Sequence, residues 1–230
     1  MLPFGYVLYK YQELDSTNSE ALRLLRNQQI RENTIITATH QTAGRGRNGK
    51  EWVSPNGNLY MTIVIKQEMN INLLTPQLSF IAALGVGKAL KKVNIKYKWP
   101  NDLMVEDKKI SGILLETHEE HFIIIGVGIN INHAPDYATY LRKYHEVDIE
   151  TLTNDIVRNF QYEKEQWKCN GFSKGRESWL NNAWRLHNTI TINFNNTNLT
   201  GTMCGIDQQG RLILKTEQDT YHINSGSIYT

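Results

Sequence analysis

Residues 44–50 read Gly-Arg-Gly-Arg-Asn-Gly-Lys, and Trp52 follows two positions later. Glycines let the backbone approach a ligand closely, at the expense of side-chain packing. Arg and Lys supply fixed positive charge and hydrogen-bond donors. Because packed cations repel one another without a counter-charge, the segment predicts a loop that binds a phosphate or a carboxylate, rather than a merely basic surface turn. With so few apolar residues, we expect this loop to be mobile when empty and to order around an anion.

The same segment formally matches two phosphate-binding patterns, GxxxxGK of nucleoside triphosphatases and GxGxxG of dinucleotide-binding folds. Both patterns require a helix to begin directly after the loop. Here residues 51–57 are turn-forming, and a strand is predicted after them. Position 51 is also Glu, where the first pattern needs Ser or Thr to bind magnesium. Both of these folds are therefore disfavoured.

The overall composition is that of a folded protein without a general affinity for polyanions. Of 230 residues, 40% are hydrophobic and 21% are charged, and 25 basic against 23 acidic residues give a net charge of +2. A non-specific nucleic-acid binder is usually more basic, so we expect no DNA partner. Cys169 and Cys204 lack metal-ligand spacing and predict neither a disulfide framework nor a zinc site. No secretory signal or apolar span is readable, so we expect no membrane partner and a cytoplasmic location.

Hydrophobic periodicity and turn residues predict an α+β chain, with helices on one side of a mixed sheet and then a small barrel-like β unit. The pattern changes near residue 188, which divides the chain into predicted domains 1–186 and 187–230. The predicted strands are 6–14, 34–40, 59–66, 97–105, 109–117, 122–131, 189–194, 199–206, 211–216 and 219–223. The predicted helices are one that opens at 15–20 with a Thr17/Glu20 capping box, then 76–92, 151–169 and 173–185.

A second group of polar residues interrupts the apolar strands that follow residue 97. Asn101 and Asp102 come directly after Pro100, and a buried Asp needs a partner or a metal ion. Asp102 is therefore either a magnesium ligand beside a triphosphate or the cap of a turn. Lys109 opens the return strand, either as an anion contact or as an ordinary solvated hairpin lysine.

Glycines inside two of these strands mark a third group. Gly112, Gly126 and Gly128 weaken their strands, and such glycines often allow a ligand to approach the backbone. Asn130 ends the last of these strands, where it either reads an adenine edge or occupies a bulge. The local sequence leaves these alternatives open.

Taken together, these segments resemble the motifs of biotin protein ligases, also called biotin–[acetyl-CoA-carboxylase] ligases. The resemblance covers almost the whole chain in order. It rests on Ser16-Thr17-Asn18, residues 41–47 (Gln-Thr-Ala-Gly-Arg-Gly-Arg) with Trp52, residues 98–102 (Lys-Trp-Pro-Asn-Asp), residues 109–114 (Lys-Ile-Ser-Gly-Ile-Leu), residues 126–130 (Gly-Val-Gly-Ile-Asn) and residues 205–210 (Gly-Ile-Asp-Gln-Gln-Gly). The last of these resembles the small SH3-like domain of the family, so the resemblance implies a ligase-type catalytic domain followed by an SH3-like β-barrel.

The resemblance also implies roles for individual residues. Those implied for biotin binding are Ser16, Thr17, Asn18, Gln41, Gly44, Arg45, Gly46, Arg47, Lys109, Gly112 and Gly126. Those implied for ATP binding are Arg47, Lys50, Trp52, Asn101, Lys109 and Asn130, with Asp102 near magnesium. Arg45, Arg47 and Lys109 are the implied catalytic residues.

The resemblance implies an ATP-dependent ligase that forms biotinyl-AMP and then an amide between biotin and a lysine of a biotin carboxyl carrier protein. The expected substrates are biotin and ATP with Mg²⁺, without a tightly bound prosthetic group, and homodimers occur in relatives. A lipoate or octanoate ligase is an alternative, but its RRxSGGG-like motif is absent. A non-catalytic or DNA-binding biotin sensor is another alternative, which the intact Lys109 and Asp102 and the balanced charge disfavour.

Two departures from the family pattern have consequences. Many members continue the loop with Arg-Gly-Arg, whereas this chain has Asn48-Gly49-Lys50. One fork-shaped donor is lost and another becomes a point charge, a change that bears on how tightly the adenylate is retained and not on the reaction. The chain also begins almost at the catalytic domain, so we expect the short form without the winged-helix DNA-binding domain of some members.

Overall fold

Two β-sheets organise the chain in a computed structural model, which describes residues 5–30, 33–66, 71–119, 121–194 and 197–229 and gives only the backbone for 71–75. The first sheet contains β1 (Val7–Leu14), β2 (Thr34–Gln41), β3 (Leu59–Lys66), β4 (Lys96–Lys98), β5 (Asp102–Val105), β6 (Lys108–His118) and β7 (Phe122–Ile129). The second contains β8 (Thr189–Phe194), β9 (Thr197–Ile206), β10 (Leu212–Lys215), β11 (Thr220–Ile223) and β12 (Ser227–Tyr229). The helices are α1 (Thr17–Arg26), α2 (Ile71–Ala89), α3 (Ile149–Asn170) and α4 (Phe172–Leu180).

The seven-stranded sheet is mixed, as predicted. Its order is β1-β2-β3-β7-β6-β5-β4, with β1 and β2 parallel and every other neighbouring pair antiparallel. A parallel pair requires a crossover connection, and α1 lies within it. This crossover brings the first turn of α1 close to the end of β2, where the glycine-rich loop begins.

Helices cover both faces of this sheet, because successive side chains of a strand point to opposite faces. Ile36 of β2 packs in one buried cluster with Ala21 and Leu24 of α1. The neighbouring Ile35 belongs to the large core that also contains residues of α2, α3 and α4. The prediction of helices on one side is therefore correct for α2, α3 and α4, whereas α1 covers the opposite face.

The predicted strand 97–105 is two strands. Residues 99–101 form a turn between β4 and β5, and Lys98 pairs with Asp102 across it. Pro100 cannot donate a backbone hydrogen bond, which explains the break. The turn places Asn101 and Asp102 at the end of the sheet, beside residues of β6. The predicted helix 76–92 spans 71–89 instead.

The second sheet is antiparallel, with the order β11-β10-β9-β8-β12. In the described part of the chain β11 and β12 are its two edges, so the predicted antiparallel unit is confirmed and no closed barrel is formed. Strand β12 was not predicted from the sequence. No helix among the described residues is both long and apolar enough to span a membrane.

Candidate active site

A cleft of about 510 Å³ opens at one end of the first sheet. All of the predicted site residues except Gly44 line it, namely Ser16, Thr17, Asn18, Gln41, Arg45, Gly46, Arg47, Lys50, Trp52, Asn101, Asp102, Lys109, Gly112, Gly126 and Asn130. Gly44 lines a second cavity, which is formed mainly by the loop itself. The fold therefore gathers segments that are far apart in sequence into one site.

The start of α1 forms a polar floor in this cleft. Thr17 donates two hydrogen bonds to Gln41 Oε1, from its backbone N at 2.9 Å and from its Oγ1 at 3.2 Å. Gln41 Nε2 in turn donates to Ser54 Oγ at 2.9 Å, which fixes the orientation of the Gln41 amide. The predicted capping box is wrong, because Ser16 is the N-cap residue and Glu20 accepts hydrogen bonds from Tyr11 and Arg23 instead.

Asn18 is held on two sides of the same floor. Its Oδ1 accepts a hydrogen bond from Thr62 Oγ1 at 2.7 Å, and its Nδ2 donates to Glu116 Oε2 at 2.8 Å. A Cβ on Gly126 would lie 2.5 Å from Asn18 Oδ1. Gly126 is therefore needed for this buried amide to lie against β7.

The glycine-rich loop folds back on itself as a short hairpin. Arg45 and Glu51 form an antiparallel bridge, Gly46 N donates to Lys50 O at 2.7 Å, and Trp52 N donates to Gly44 O at 2.9 Å. A single 3₁₀ turn, Arg47–Gly49, forms the tip, and no helix follows before β3. This connection confirms that the loop is neither a triphosphatase loop nor a dinucleotide-binding loop.

Arg47, at the tip of the loop, lines the cleft and contacts an amide rather than a carboxylate. Its Nη1 donates to Asn101 Oδ1 at 3.2 Å, and Asn101 Nδ2 donates to Ile113 O at 2.6 Å. Burial lowers the pKa of Arg47, and no carboxylate among the described residues forms an ion pair with it. A half-buried cation whose charge is not neutralised by an ion pair favours an anionic ligand, so this arrangement suits anion binding.

Lys109 and Trp52 form another part of the cleft wall. Lys109 Nζ lies 2.7 Å from Asp102 Oδ1 and 5.1 Å from the centre of the Trp52 ring. A Cβ on Gly128 would lie 2.5 Å from this ring, so the indole packs directly on the backbone of β7. Its Nε1 is buried without a hydrogen-bond partner among the described residues, which again suits a polar ligand.

Lys98 lines the same cleft, although sequence reasoning gave it no role. Burial lowers its pKa, and its Nζ lies 4.7 Å from the centre of the Trp184 ring. The signal available in the sequence was its position at the start of the Lys-Trp-Pro-Asn-Asp motif. The cations lining the cleft are Arg45, Arg47, Lys50, Lys98 and Lys109, and the carboxylates lining it are Glu51 and Asp102. This excess of positive charge favours the binding of an anionic ligand.

Two further segments close the cleft. Asn130 Nδ2 donates to Thr139 O at 3.1 Å, so Asn130 also holds the 133–140 segment in place. Tyr137 of this segment and Tyr229 of β12 both line the cleft and are largely exposed. The C-terminal sheet thus contributes to the site through β12, which sequence reasoning missed.

The comparisons with known proteins agree with this geometry. Residues 10–130 match the Biotin/lipoate A/B protein ligase family, and residues 189–229 match the biotin protein ligase C-terminal domain. The first match covers more than half of the chain. The chain belongs to the Biotin/lipoate A/B protein ligase family.

Individual relatives are similar over most of their length. The biotin–[acetyl-CoA-carboxylase] ligase of Paracoccus denitrificans is 34% identical over 221 residues, which cover 87% of this chain and 91% of the relative. The bifunctional ligase/repressor BirA of Bacillus subtilis is 29% identical over 236 residues, which cover 95% of this chain and 72% of the relative. Among solved structures, the biotin protein ligase from Aquifex aeolicus in complex with biotin and ATP has a TM-score of 0.84 and 26% identity, with 98% of each chain covered.

Proposed function

We propose that this chain is an ATP-dependent biotin–protein ligase, which activates biotin as biotinyl-AMP and transfers it to a lysine of a biotin carboxyl carrier protein. The relatives named above are ligases, and the similar Aquifex structure holds both biotin and ATP. The match at 189–229 is to the C-terminal domain of biotin protein ligases, which favours biotin over lipoate as the substrate.

The observation that carries this proposal is the environment of Arg47. Its guanidinium is half-buried in a cleft whose lining cations outnumber the carboxylates, and no carboxylate among the described residues lies within ion-pair distance of it. The reaction must bring a carboxylate and a triphosphate together, and two anions repel each other. Preorganised positive charge between them removes that barrier and stabilises the charge that develops on the phosphate.

The expected chemistry follows from the walls of the cleft. A biotin carboxylate oxygen attacks the α-phosphorus of ATP, the bond to the β-phosphate breaks, and pyrophosphate leaves. Arg47 and Lys109 lie beside the cleft and would contact these anions, while the floor at Ser16, Thr17 and Asn18 offers hydrogen-bonding groups for the polar ring of biotin. In the second step the acceptor amine attacks the carbonyl carbon, AMP leaves, and the amine loses a proton as the amide forms. Neither step needs a nucleophile from the enzyme.

Magnesium is part of the proposal, with Asp102 as one ligand. Magnesium is commonly bound by one or two carboxylates together with substrate phosphates. Among the described residues no three His, Cys, Asp or Glu side chains come together as a metal centre, so the donor set fits an ion held mainly by the nucleotide. To bind the ion, Asp102 would have to give up its ion pair with Lys109. Bound magnesium would shield the charge of the leaving pyrophosphate.

Several finer points stay predictions. They are the carrier protein as acceptor, a homodimer, action in the cytoplasm without a DNA partner, the individual roles of the site residues, and the domain boundary between residues 186 and 187. The boundary is supported by the two separate sheets, because β7 is the last strand of the first sheet along the chain and β8 is the first strand of the second.

A competition assay tests the choice of substrate. Pyrophosphate release from Mg-ATP is measured with biotin alone, lipoate alone and both together. We expect release with biotin and little inhibition by excess lipoate. Release driven by lipoate, or release that biotin does not stimulate, would contradict the proposal.

A further inference from the structure

Glu116 joins the glycine-rich loop to the start of α1, and it lies outside the predicted site. Its Oε1 accepts a hydrogen bond from Arg45 Nη1 at 2.9 Å, and its Oε2 accepts one from Arg45 Nη2 at 2.7 Å. The same Oε2 accepts a third hydrogen bond from Asn18 Nδ2 at 2.8 Å. One carboxylate on β6 therefore holds a loop side chain and a side chain of the polar floor at the same time.

This arrangement requires a carboxylate. Both partners present only N–H groups to Glu116, and an ionised carboxylate accepts hydrogen bonds on both oxygens. A glutamine of the same shape would turn one N–H₂ group toward a donor and lose at least one of these contacts. Turning the Asn18 amide to compensate would break the hydrogen bond that its Oδ1 accepts from Thr62 Oγ1.

The ion pair also determines where the Arg45 side chain acts. Glu116 lines the second cavity, together with residues 42–51, and is not among the residues that line the cleft, whereas Arg45 lines both. Both terminal nitrogens of Arg45 contact Glu116, so its guanidinium fork is occupied by an internal partner. Of the two loop arginines, Arg47 is left to meet a ligand with its side chain, and Arg45 secures the loop.

We propose that Glu116 is a positioning residue, which fixes the glycine-rich loop over the cleft through Arg45 and orients Asn18 for the substrate. The loop is then partly ordered before any ligand binds, because one of its cations already has a counter-charge. The proposed function supplies the identity of the ligand, biotin, but the contact itself does not depend on it.

The test uses the full chain and five variants. Glu116→Gln removes the charge, Glu116→Asp keeps it on a shorter side chain, Arg45→Gln removes the partner, and a fourth variant combines Glu116→Gln with Arg45→Gln. Asp155→Asn is the matched control, because Asp155 pairs with Arg158 at 2.9 Å on α3, away from the cleft. The first measurement is the rate of trypsin cleavage after Arg47 and Lys50 without ligand, and the second is the dissociation constant for biotin. Thermal melting verifies that each variant is folded.

We expect Glu116→Gln to raise both the cleavage rate and the biotin dissociation constant by roughly three- to tenfold, the scale of one partly exposed charge-assisted contact. For Glu116→Asp, both quantities should lie between those of Glu116→Gln and those of the parent. For Asp155→Asn, both should equal those of the parent. In the double variant, the cleavage rate and the biotin dissociation constant should rise little further than in either single variant. The effects of two residues that act through one contact are not additive.

Unchanged cleavage and biotin affinity in Glu116→Gln would overturn the inference, and so would fully additive losses in the double variant. Trypsin cleavage needs no catalysis, so its result is separate from the ligase activity. A parent protein that releases no pyrophosphate with biotin would contradict the proposed function alone, whereas an active parent with cleavage unaffected by Glu116→Gln would contradict this inference alone.

Discussion

Arg47 Nη1 lies 3.2 Å from Asn101 Oδ1, so the tip of the glycine-rich loop contacts the turn between β4 and β5 across the cleft. The two residues are 54 positions apart, and their contact brings the loop and the Lys-Trp-Pro-Asn-Asp motif into one anion site. It also leaves the charge of Arg47 available, because an amide oxygen does not neutralise it.

Replacing Arg47 with alanine should therefore disable the first half-reaction. We expect Arg47→Ala to lower the rate of biotinyl-AMP formation by roughly a hundredfold or more, the scale for removing one preorganised donor, and to let the adenylate dissociate faster. The measurement is a single-turnover assay of adenylate formed and retained. Arg158→Ala, an exposed arginine on α3, is the control. A variant that forms and retains adenylate like the parent would show that the loop is wrongly assigned.

Replacing Asp102 with asparagine should change the dependence on magnesium. Asp102 is the proposed ligand, and the amide removes its charge while keeping its shape. We expect Asp102→Asn to raise the KM for Mg-ATP about tenfold, as expected when one charged contact is lost, with biotin binding little changed. Adenylate formation measured across magnesium concentrations checks this, with Asp155→Asn on α3, away from the cleft, as control. Identical magnesium curves would instead make Asp102 a structural partner of Lys109.

Two glycine substitutions should separate the biotin and nucleotide parts of the cleft. In Gly126→Ala the new methyl group would meet Asn18 Oδ1, which Thr62 and Glu116 hold in place. We expect biotin affinity to fall about tenfold, since a crowded and well-packed site relaxes only partly. In Gly112→Ala the new methyl group would lie 3.0 Å from the Trp52 ring and 3.1 Å from Lys109 Nζ. The resemblance implies a biotin role for Gly112 itself, but both of these neighbours are implied to bind ATP, so we expect the KM for ATP to change more than biotin affinity.

Calorimetric titration of each glycine variant with biotin, and separately with an ATP analogue, checks this separation. If both variants lose affinity for the same ligand, or if neither loses any affinity, then the polar floor and the wall formed by Trp52 and Lys109 do not have distinct roles.

The sequence was informative where a residue type has few physical uses. The β-branched runs of β2, β3 and β7 and the cationic glycine-rich loop were recognisable because few other structures suit them. The contribution of Glu116 could not be foreseen, since its partner Arg45 is 71 positions away. Lys98 and β12 were missed for the same reason, because their importance depends on which distant elements pack beside them. The side of the sheet that α1 covers likewise depends on the register of β2.

The start of α1 should be sensitive to acid. Two hydrogen bonds from Arg23 lower the pKa of Asp15 to about 2. A carboxyl whose pKa is lowered on folding contributes stability above its unfolded value of about 3.9, and this contribution is lost as the pH falls toward the folded value. Because the side chains of Asp15 and Arg23 are 44% and 46% exposed, solvent screening reduces the contribution to about 0.5–1 kcal/mol.

We therefore expect Asp15→Asn to lower the free energy of unfolding at neutral pH and to make no difference once the pH has fallen below the folded pKa. Denaturant titration at a series of pH values checks this. Glu217→Gln, at an exposed side chain, is the control. A difference between Asp15→Asn and the parent that persists at the acid end would show that the Asp15 charge is not its cause.

The most direct measurement is the mass of an apo biotin carboxyl carrier domain after incubation with the full chain, biotin and Mg-ATP. The account predicts that the carrier gains one biotinyl group on a lysine with the parent protein, that the gain disappears without ATP, and that Arg47→Ala is severely impaired. A carrier whose mass stays unchanged with the folded parent protein, or one modified equally well by Arg47→Ala, would contradict the account.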